Sequence, residues 1–245
     1  MGLFDFFSGN KDPQKAIDKI RRRLVDQYRQ THERYECMDD LAKIGTPAAL
    51  EALLERFTMQ ATGSTVDEEE KNYCAEKINA WGEAAVEPLR KFIATHEAVY
   101  FPLKALREVA GDEVAVETLL EAIRSCDPGY HEGLDRLREI VSNLRDFQHE
   151  RVFAALVGLL ASRSNEIRFY ALDGLVGYPP EQVAEHYAAR ILDPDESQRV
   201  KSLAWELGAE HSLPMAPWAA QLGPIVPRGY RLDEQGHLTR GGPGA

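Results

Sequence analysis

The stretch 41-LAKIGTPAALEALLERF-57 reads as the end of one helix, a short corner and a second helix. Leu50, Leu53, Leu54 and Phe57 fall three and four residues apart, which places them on one apolar stripe of the second helix. Gly45 marks the corner, because a helix commonly ends on a left-handed residue and glycine takes that conformation without a Cβ clash. Pro47 then stands where a helix begins, at a position whose N–H would have no partner inside the helix.

The same corner recurs. Comparable positions are Gly82 in "NAWGEAAVEPL", Gly111 in "REVAGDEVAVETLL", Arg145 in "SNLRDFQHERVFAAL", Gly177 in "DGLVGYPPEQVAEHY" and Gly208 in "AWELGAEHSLPM". The period is loose and lies in the low thirties of residues. Eight residues before each corner stand Cys37, Cys74, Leu103, Leu137, Phe169 and Val200. One residue before stand Ile44, Trp81, Ala110, Leu144, Val176 and Leu207, and between them Leu41, Ile78, Leu106, Val141, Leu172 and Leu203 complete the stripe. A supersecondary unit repeated in this way predicts an all-α solenoid of about six antiparallel helix pairs. Arg145 lacks the freedom of glycine, so the fourth corner is expected to be distorted.

These residues resemble the HEAT-repeat family, particularly its short bacterial members, over about residues 33–208. "AKIGTPAALEALLERF" and "AWGEAAVEPLRKFI" are similar to that family's corner of glycine, small residues and a Leu-rich second helix. The resemblance implies a right-handed stack of helix pairs used mostly for binding proteins. Some members act on tetrapyrrole-bearing proteins, on alkylated DNA bases or as metal-dependent hydroxylases.

Around the repeats, residues 1–30 read as an apolar segment followed by an amphipathic capping helix over Lys15–Tyr28, with Ile17, Ile20, Leu24 and Tyr28 on one face. Residues 31–211 are the solenoid. Residues 212–240 are too rich in Pro and Gly for a regular repeat and are expected to form an irregular cap, with Trp218, Leu222, Ile225 and Val226 over the last repeat and "YRLDEQGHL" as a hairpin about Gly236. Residues 241–245 read as a disordered tail.

The net charge of −11 counts against bulk nucleic-acid binding, which rests on neutralising phosphates, and favours solubility or a basic partner. Three widely spaced cysteines, Cys37, Cys74 and Cys126, form neither a disulfide framework nor a zinc cluster. Without a secretory pattern or a long apolar run, the expected location is the cytoplasm.

The leading function is therefore a non-enzymatic adaptor or scaffold that holds a protein or peptide on the concave face, with no cofactor. On the second helices Glu51, Glu55, Glu87, Glu117 and Glu121 lie opposite the Leu stripe and are expected to form an acidic ridge that steers a basic segment. Leu3, Phe4, Phe6 and Phe7 offer a second docking element, whose targets are the chain itself, a partner groove or a membrane surface. The alternative is a tetrapyrrole-lyase-like factor or a metal-dependent hydroxylase, the latter through four His-Glu pairs: His32-Glu33, His96-Glu97, His131-Glu132 and His149-Glu150. HEAT-like deoxyhypusine hydroxylases carry four such pairs, which hold two irons. Here three pairs, at His32, His96 and His131, each fall in a turn entering a first helix, and the fourth falls on a second helix. Stacked helices are about 8–10 Å apart, whereas metal ligands must lie within about 2–2.2 Å of one ion. The expectation is that the pairs cap helices and that there is no metal site.

Overall fold

A computed structural model describes residues 12–126 and 131–241 and, of 131 and 132, the backbone alone. The described residues are almost wholly helical and form two compact units that divide between Ser125 and Cys126.

The first unit starts with α1 (Pro13–Leu24), which buries Ile17, Ile20 and Leu24. Helix pairs follow: α2 (Thr31–Ile44) with α3 (Pro47–Leu54), α4 (Ser64–Asn79) with α5 (Val86–Thr95), and the two arms of α6 (Tyr100–Ser125), which breaks at Gly111. The first helices α2, α4 and the leading arm of α6 pack side by side, and α3 packs on α5. Corner glycines Gly45, Gly82 and Gly111 have positive φ of 65°, 56° and 81°; Gly45 is left-handed as read, whereas Gly111, with ψ 173°, takes an extended conformation essentially open to glycine alone. Thr46 accepts a hydrogen bond from the Ala49 N–H and Pro47 takes the first position of α3, which fixes the restart of the chain after the corner.

The second unit pairs α7 (His131–Leu144) with α8 (Glu150–Leu159) and α9 (Asn165–Gly174) with α10 (Pro180–Leu192), and adds α11 (Gln198–Glu210). Here α9 packs between α7 and α11. The corners differ from those of the first unit. Neither Arg145 nor Gly177 is left-handed; α7 ends in a turn closed by the Phe147 N–H on the Leu144 carbonyl, and Arg145 reaches Asp173 of α9 at 2.8 Å. Gly208 is no corner either. Helix α11 runs through it, and the turn comes at Ser212, whose φ is 49°. Glycine stands at 208 because a Cβ there would lie 2.8 Å from Leu238 Cδ2.

In place of a sixth second helix come three short turns of helix, the four-residue α12 (Ala219–Leu222) among them, and a hairpin of β1 (Tyr230–Leu232) and β2 (Leu238–Arg240), with Leu232 opposite Leu238. Leu213, Met215, Leu222 and Leu238 are buried beneath this lid; of the residues expected there, Trp218 and Val226 are half-buried and Ile225 is exposed. At the other end α1 stops at Leu24, short of the predicted Tyr28. The Asp26 carboxylate accepts from the Tyr28 N–H at 3.0 Å and closes a turn that leaves the Tyr28 ring 86% exposed.

Most of the stripe makes the core, whereas Ile44, Trp81, Ala110, Phe169, Val176 and Leu203 are half-buried. Leu41, Ile78, Leu106, Val141 and Leu172 are fully buried, as are Leu50, Leu53, Leu89 and Leu119 on second helices, each contributing about 1.5–3 kcal/mol. Cys37 and Cys74 sit among them as small apolar residues, and burial pushes the Cys74 thiol up to about 12. Beneath the stripe lies a feature of opposite chemistry. Arg34, on α2, donates Nε and Nη2 to the two oxygens of Glu70 on α4, both at 2.7 Å. Arg56, in the 3₁₀ turn after α3, donates to the same carboxylate at 3.1 and 2.9 Å and to Asp67 at 2.8 Å. The second unit repeats the clasp: Arg168 on α9 donates Nε and Nη2 to Glu196 at 2.8 and 2.6 Å, and Arg190 on α10 reaches Glu196 at 3.3 Å. In each unit one carboxylate thus ties the first and second helices of one repeat to the start of the next.

Candidate functional site

The second helices of the first unit carry the predicted acidic ridge. Burial of Leu50, Leu53 and Leu54 turns Glu51 outward on α3, and Glu55 opens the following 3₁₀ turn. Leu89 and Ile93 do the same for Glu87 on α5, and Val116, Leu119 and Leu120 for Glu117 and Glu121 on α6.

The ridge is not a bare row of carboxylates. Arg90, one turn after Glu87, inserts among three of them: its guanidinium lies 2.8 Å from Glu121, 3.5 Å from Glu117 and 3.8 Å from Glu87. The hydrogen bond to Glu121 is the main reason the Arg90 guanidinium holds its proton even more firmly than usual, against a partial desolvation cost. Glu55 is likewise met by Arg21 of α1, Nε to Oε2 at 2.7 Å. The i,i+3 spacing of Glu87 and Arg90 was the sequence signal for this insertion; the Arg21 contact spans 34 residues and had none. What remains is three carboxylates drawn around one cation, with net charge −2, and a pair at Glu51 and Glu55.

Between α3 and α5 that pair opens onto a cavity of about 160 Å³. Leu54, Pro88 and Phe92 form its apolar wall, and Lys91, Thr95 and His96 complete the lining. The His96 ring stacks on Phe92, with centroids 4.0 Å apart and planes 6° apart. Carboxylates beside an aromatic and aliphatic wall can hold a lysine or arginine side chain by both its charge and its stem.

The His-Glu pairs are placed separately. His32 is exposed, and Glu33 closes a capping box with Gln30 and pairs with Arg29 at 3.0 Å. The bond from the Gln30 N–H, then that from Arg29, holds the Glu33 carboxyl below its usual range. His96 caps the C-terminus of α5 and Glu97 is exposed. His149 is the N-cap of α8, its Nδ1 accepting from the Arg151 N–H at 3.0 Å, and Glu150 is exposed in the first turn. The side chains of His131 and Glu132 lie outside the described residues, as do Leu3, Phe4, Phe6 and Phe7. Among the described residues no group of three His, Cys, Asp or Glu side chains comes together around a point that would hold a metal ion, and no helix is long and apolar enough to cross a membrane.

Residues 33–58, which span most of α2, all of α3 and the 3₁₀ turn, match the family model described as PBS lyase HEAT-like repeat. The first helix pair is a HEAT-like repeat. No curated protein matches the chain. Among solved structures the chain is similar to human deoxyhypusine hydroxylase in complex with glycerol, at 17% identity over 85% of this chain and 90% of that one, with a TM-score of 0.32. It is also similar to an engineered protein, at 20% identity over 80% of this chain and 96% of that one, with a TM-score of 0.34. At such identities and scores neither likeness bears on activity. The HEAT-like repeat itself supplies Glu51 and Glu55, so the candidate face begins within it.

Proposed function

We propose that this chain is a non-enzymatic adaptor whose first unit takes a basic protein or peptide segment on the face formed by its second helices. The observation that carries this reading is the grouping of Glu87, Glu117 and Glu121 around Arg90, next to the Glu51–Glu55 cavity with its Phe92–His96 wall. Carboxylates already held in place lose little side-chain freedom when a cation arrives, and the excess negative charge speeds encounter with a basic segment. The chain's net charge of −11 acts in the same direction.

The test uses a fluorescent Lys/Arg-rich peptide and anisotropy at low and high salt. The triple variant Glu51→Lys, Glu87→Lys and Glu117→Lys alters three exposed side chains and should retain the fold by circular dichroism. Binding by the native chain should weaken with salt and fall by tenfold or more in the variant. Equal binding by the folded variant would remove this face from the function.

A further inference from the structure

Helix α1 has opposite chemistry on its two sides. Ile17, Ile20 and Leu24 are buried where it packs on α2 and α3. Lys15, Lys19 and Arg22 are exposed, and at about 100° per residue they fall on the side opposite the buried three. The arginines on either flank are already engaged: Arg21 meets Glu55 at 2.7 Å and Arg23 reaches Glu33 at 3.9 Å. No carboxylate among the described residues pairs with Lys15, Lys19 or Arg22. Asp18, the one acid within the helix, lies to one side of the row, is half-buried and accepts from the Gln14 side-chain amide at 3.1 Å. Asp12 is occupied as the N-cap, accepting from the Gln14 N–H at 3.1 Å. A chain of net charge −11 thus presents three unpaired cations in a row. Like charges at i,i+4 and i,i+3 weaken a helix, so an anionic partner would relieve a local cost.

Ahead of this helix the sequence holds Leu3, Phe4, Phe6 and Phe7, with Asp5 between them, joined to it through 8-SGNKD-12. A row of cations answers to a polyanion, and large apolar side chains beside it answer to hydrocarbon. A lipid leaflet of negative charge offers both, whereas a nucleic acid backbone offers only the first. We propose that α1 holds the protein against an anionic phospholipid leaflet, with Lys15, Lys19 and Arg22 at the headgroups and Leu3, Phe4, Phe6 and Phe7 at the acyl boundary. Stable attachment of this kind takes two signals, and the row and the apolar segment supply one each. Each Lys or Arg near such a surface is worth about fivefold in affinity, so the row contributes on the order of 100-fold. The acidic remainder of the chain is repelled by the same leaflet, which confines the contact to this side of α1. The row is separate from the acidic face of the second helices and does not depend on what that face binds.

Co-sedimentation of the full chain with vesicles tests the assignment, comparing equal parts phosphatidylserine and phosphatidylcholine with phosphatidylcholine alone. The mixed vesicles should bind the chain about tenfold or more tightly than the neutral ones, and high salt should remove the difference. Lys15→Gln, Lys19→Gln and Arg22→Gln together should weaken binding to mixed vesicles by on the order of 100-fold. The melting temperature of that variant should not fall, since the three side chains are exposed and unpaired. Arg21→Gln should weaken binding less than Arg22→Gln does, because Glu55 already neutralises Arg21. Phe4→Ser with Phe6→Ser should weaken binding to both kinds of vesicle, and Asp5→Asn should tighten binding to the mixed ones. No binding to mixed vesicles, equal binding to neutral ones, or undiminished binding in either the triple variant or the Phe double variant would each overturn the proposal. So would a DNA duplex bound more tightly than the mixed vesicles through the same three residues. A dimer in sedimentation velocity that the triple variant dissolves would give the row to a second copy of the chain and likewise overturn it.

Discussion

Replacing Glu70 by Gln should be among the most damaging single changes in the first unit. The Glu70 side chain has no solvent exposure and accepts four hydrogen bonds, two from Arg34 and two from Arg56, whose side chains are 3% and 0% exposed. The variant keeps the shape but removes the charge and turns one acceptor oxygen into an NH2 donor, so two buried guanidinium groups share one carboxylate, Asp67, with an amide oxygen and backbone carbonyls. Breaking a buried ion pair by removing one partner costs about 3–5 kcal/mol, a large fraction of the roughly 5–15 kcal/mol that holds a domain together. The melting temperature of the first unit should fall by on the order of 10 °C. Glu55→Gln is the control: its partner Arg21 is half exposed, and a surface pair is worth about 0–1 kcal/mol. Urea titration of both variants, followed by far-UV circular dichroism, measures the difference. A loss for Glu70→Gln no larger than that for Glu55→Gln would refute the clasp as a determinant of stability. Replacing Arg34, Arg56 and Glu70 together by apolar residues of similar volume should recover most of the loss, since the charges then no longer need one another.

Other outcomes follow from the same contacts. In Asp67 and Glu196 burial raises the carboxyl pKa, but hydrogen bonds outweigh it, from the Ala61 N–H, Lys71 and Arg56 to Asp67 and from Arg168 and the Ser197 N–H to Glu196, so both are lowered on folding. Their stabilisation is complete above the unfolded carboxylate range and drains away as pH falls through the lower folded values, so acid titration should show the first unit of a Glu196→Gln variant, and the second unit of an Asp67→Asn variant, retaining that acid sensitivity. Gly111→Ala should cost about 1–3 kcal/mol in thermal unfolding although nothing lies within 4 Å of the new Cβ, because φ 81° and ψ 173° belong to a region essentially reserved for glycine. His149→Ala should cost about 0.5–2 kcal/mol by removing the acceptor that caps α8, and His149→Asn should restore it.

The repeat was legible because its signal is local. Leu41, Ile78 and Leu106 recur at one register, and water exclusion alone demands a buried stripe there. The corners were legible where glycine serves backbone conformation, as at Gly45, and misleading where it serves packing, as at Gly208, since both uses put the same letter in the sequence. The clasps were hidden because "THERYECMDD" and "DEEEKN" read as solvated polar runs; burial of Arg34 and Glu70 depends on a contact 36 residues long. The recurrence of arginine as the fourth residue of both α2 and α9 was the available clue. For the acidic face, the outward glutamates were readable from helical spacing, whereas the cavity beside Glu51 and the arginine that meets Glu55 require knowledge of which helices become neighbours.

The lid over α11 also decides what this helix can touch. Leu213, Met215, Leu222 and Leu238 already fill the surface where another helical layer would settle, and Gly208 lets the hairpin approach too closely for a side chain to intervene. Among the described residues the row of first helices thus finishes under a hairpin and short turns, not as a bare helical face.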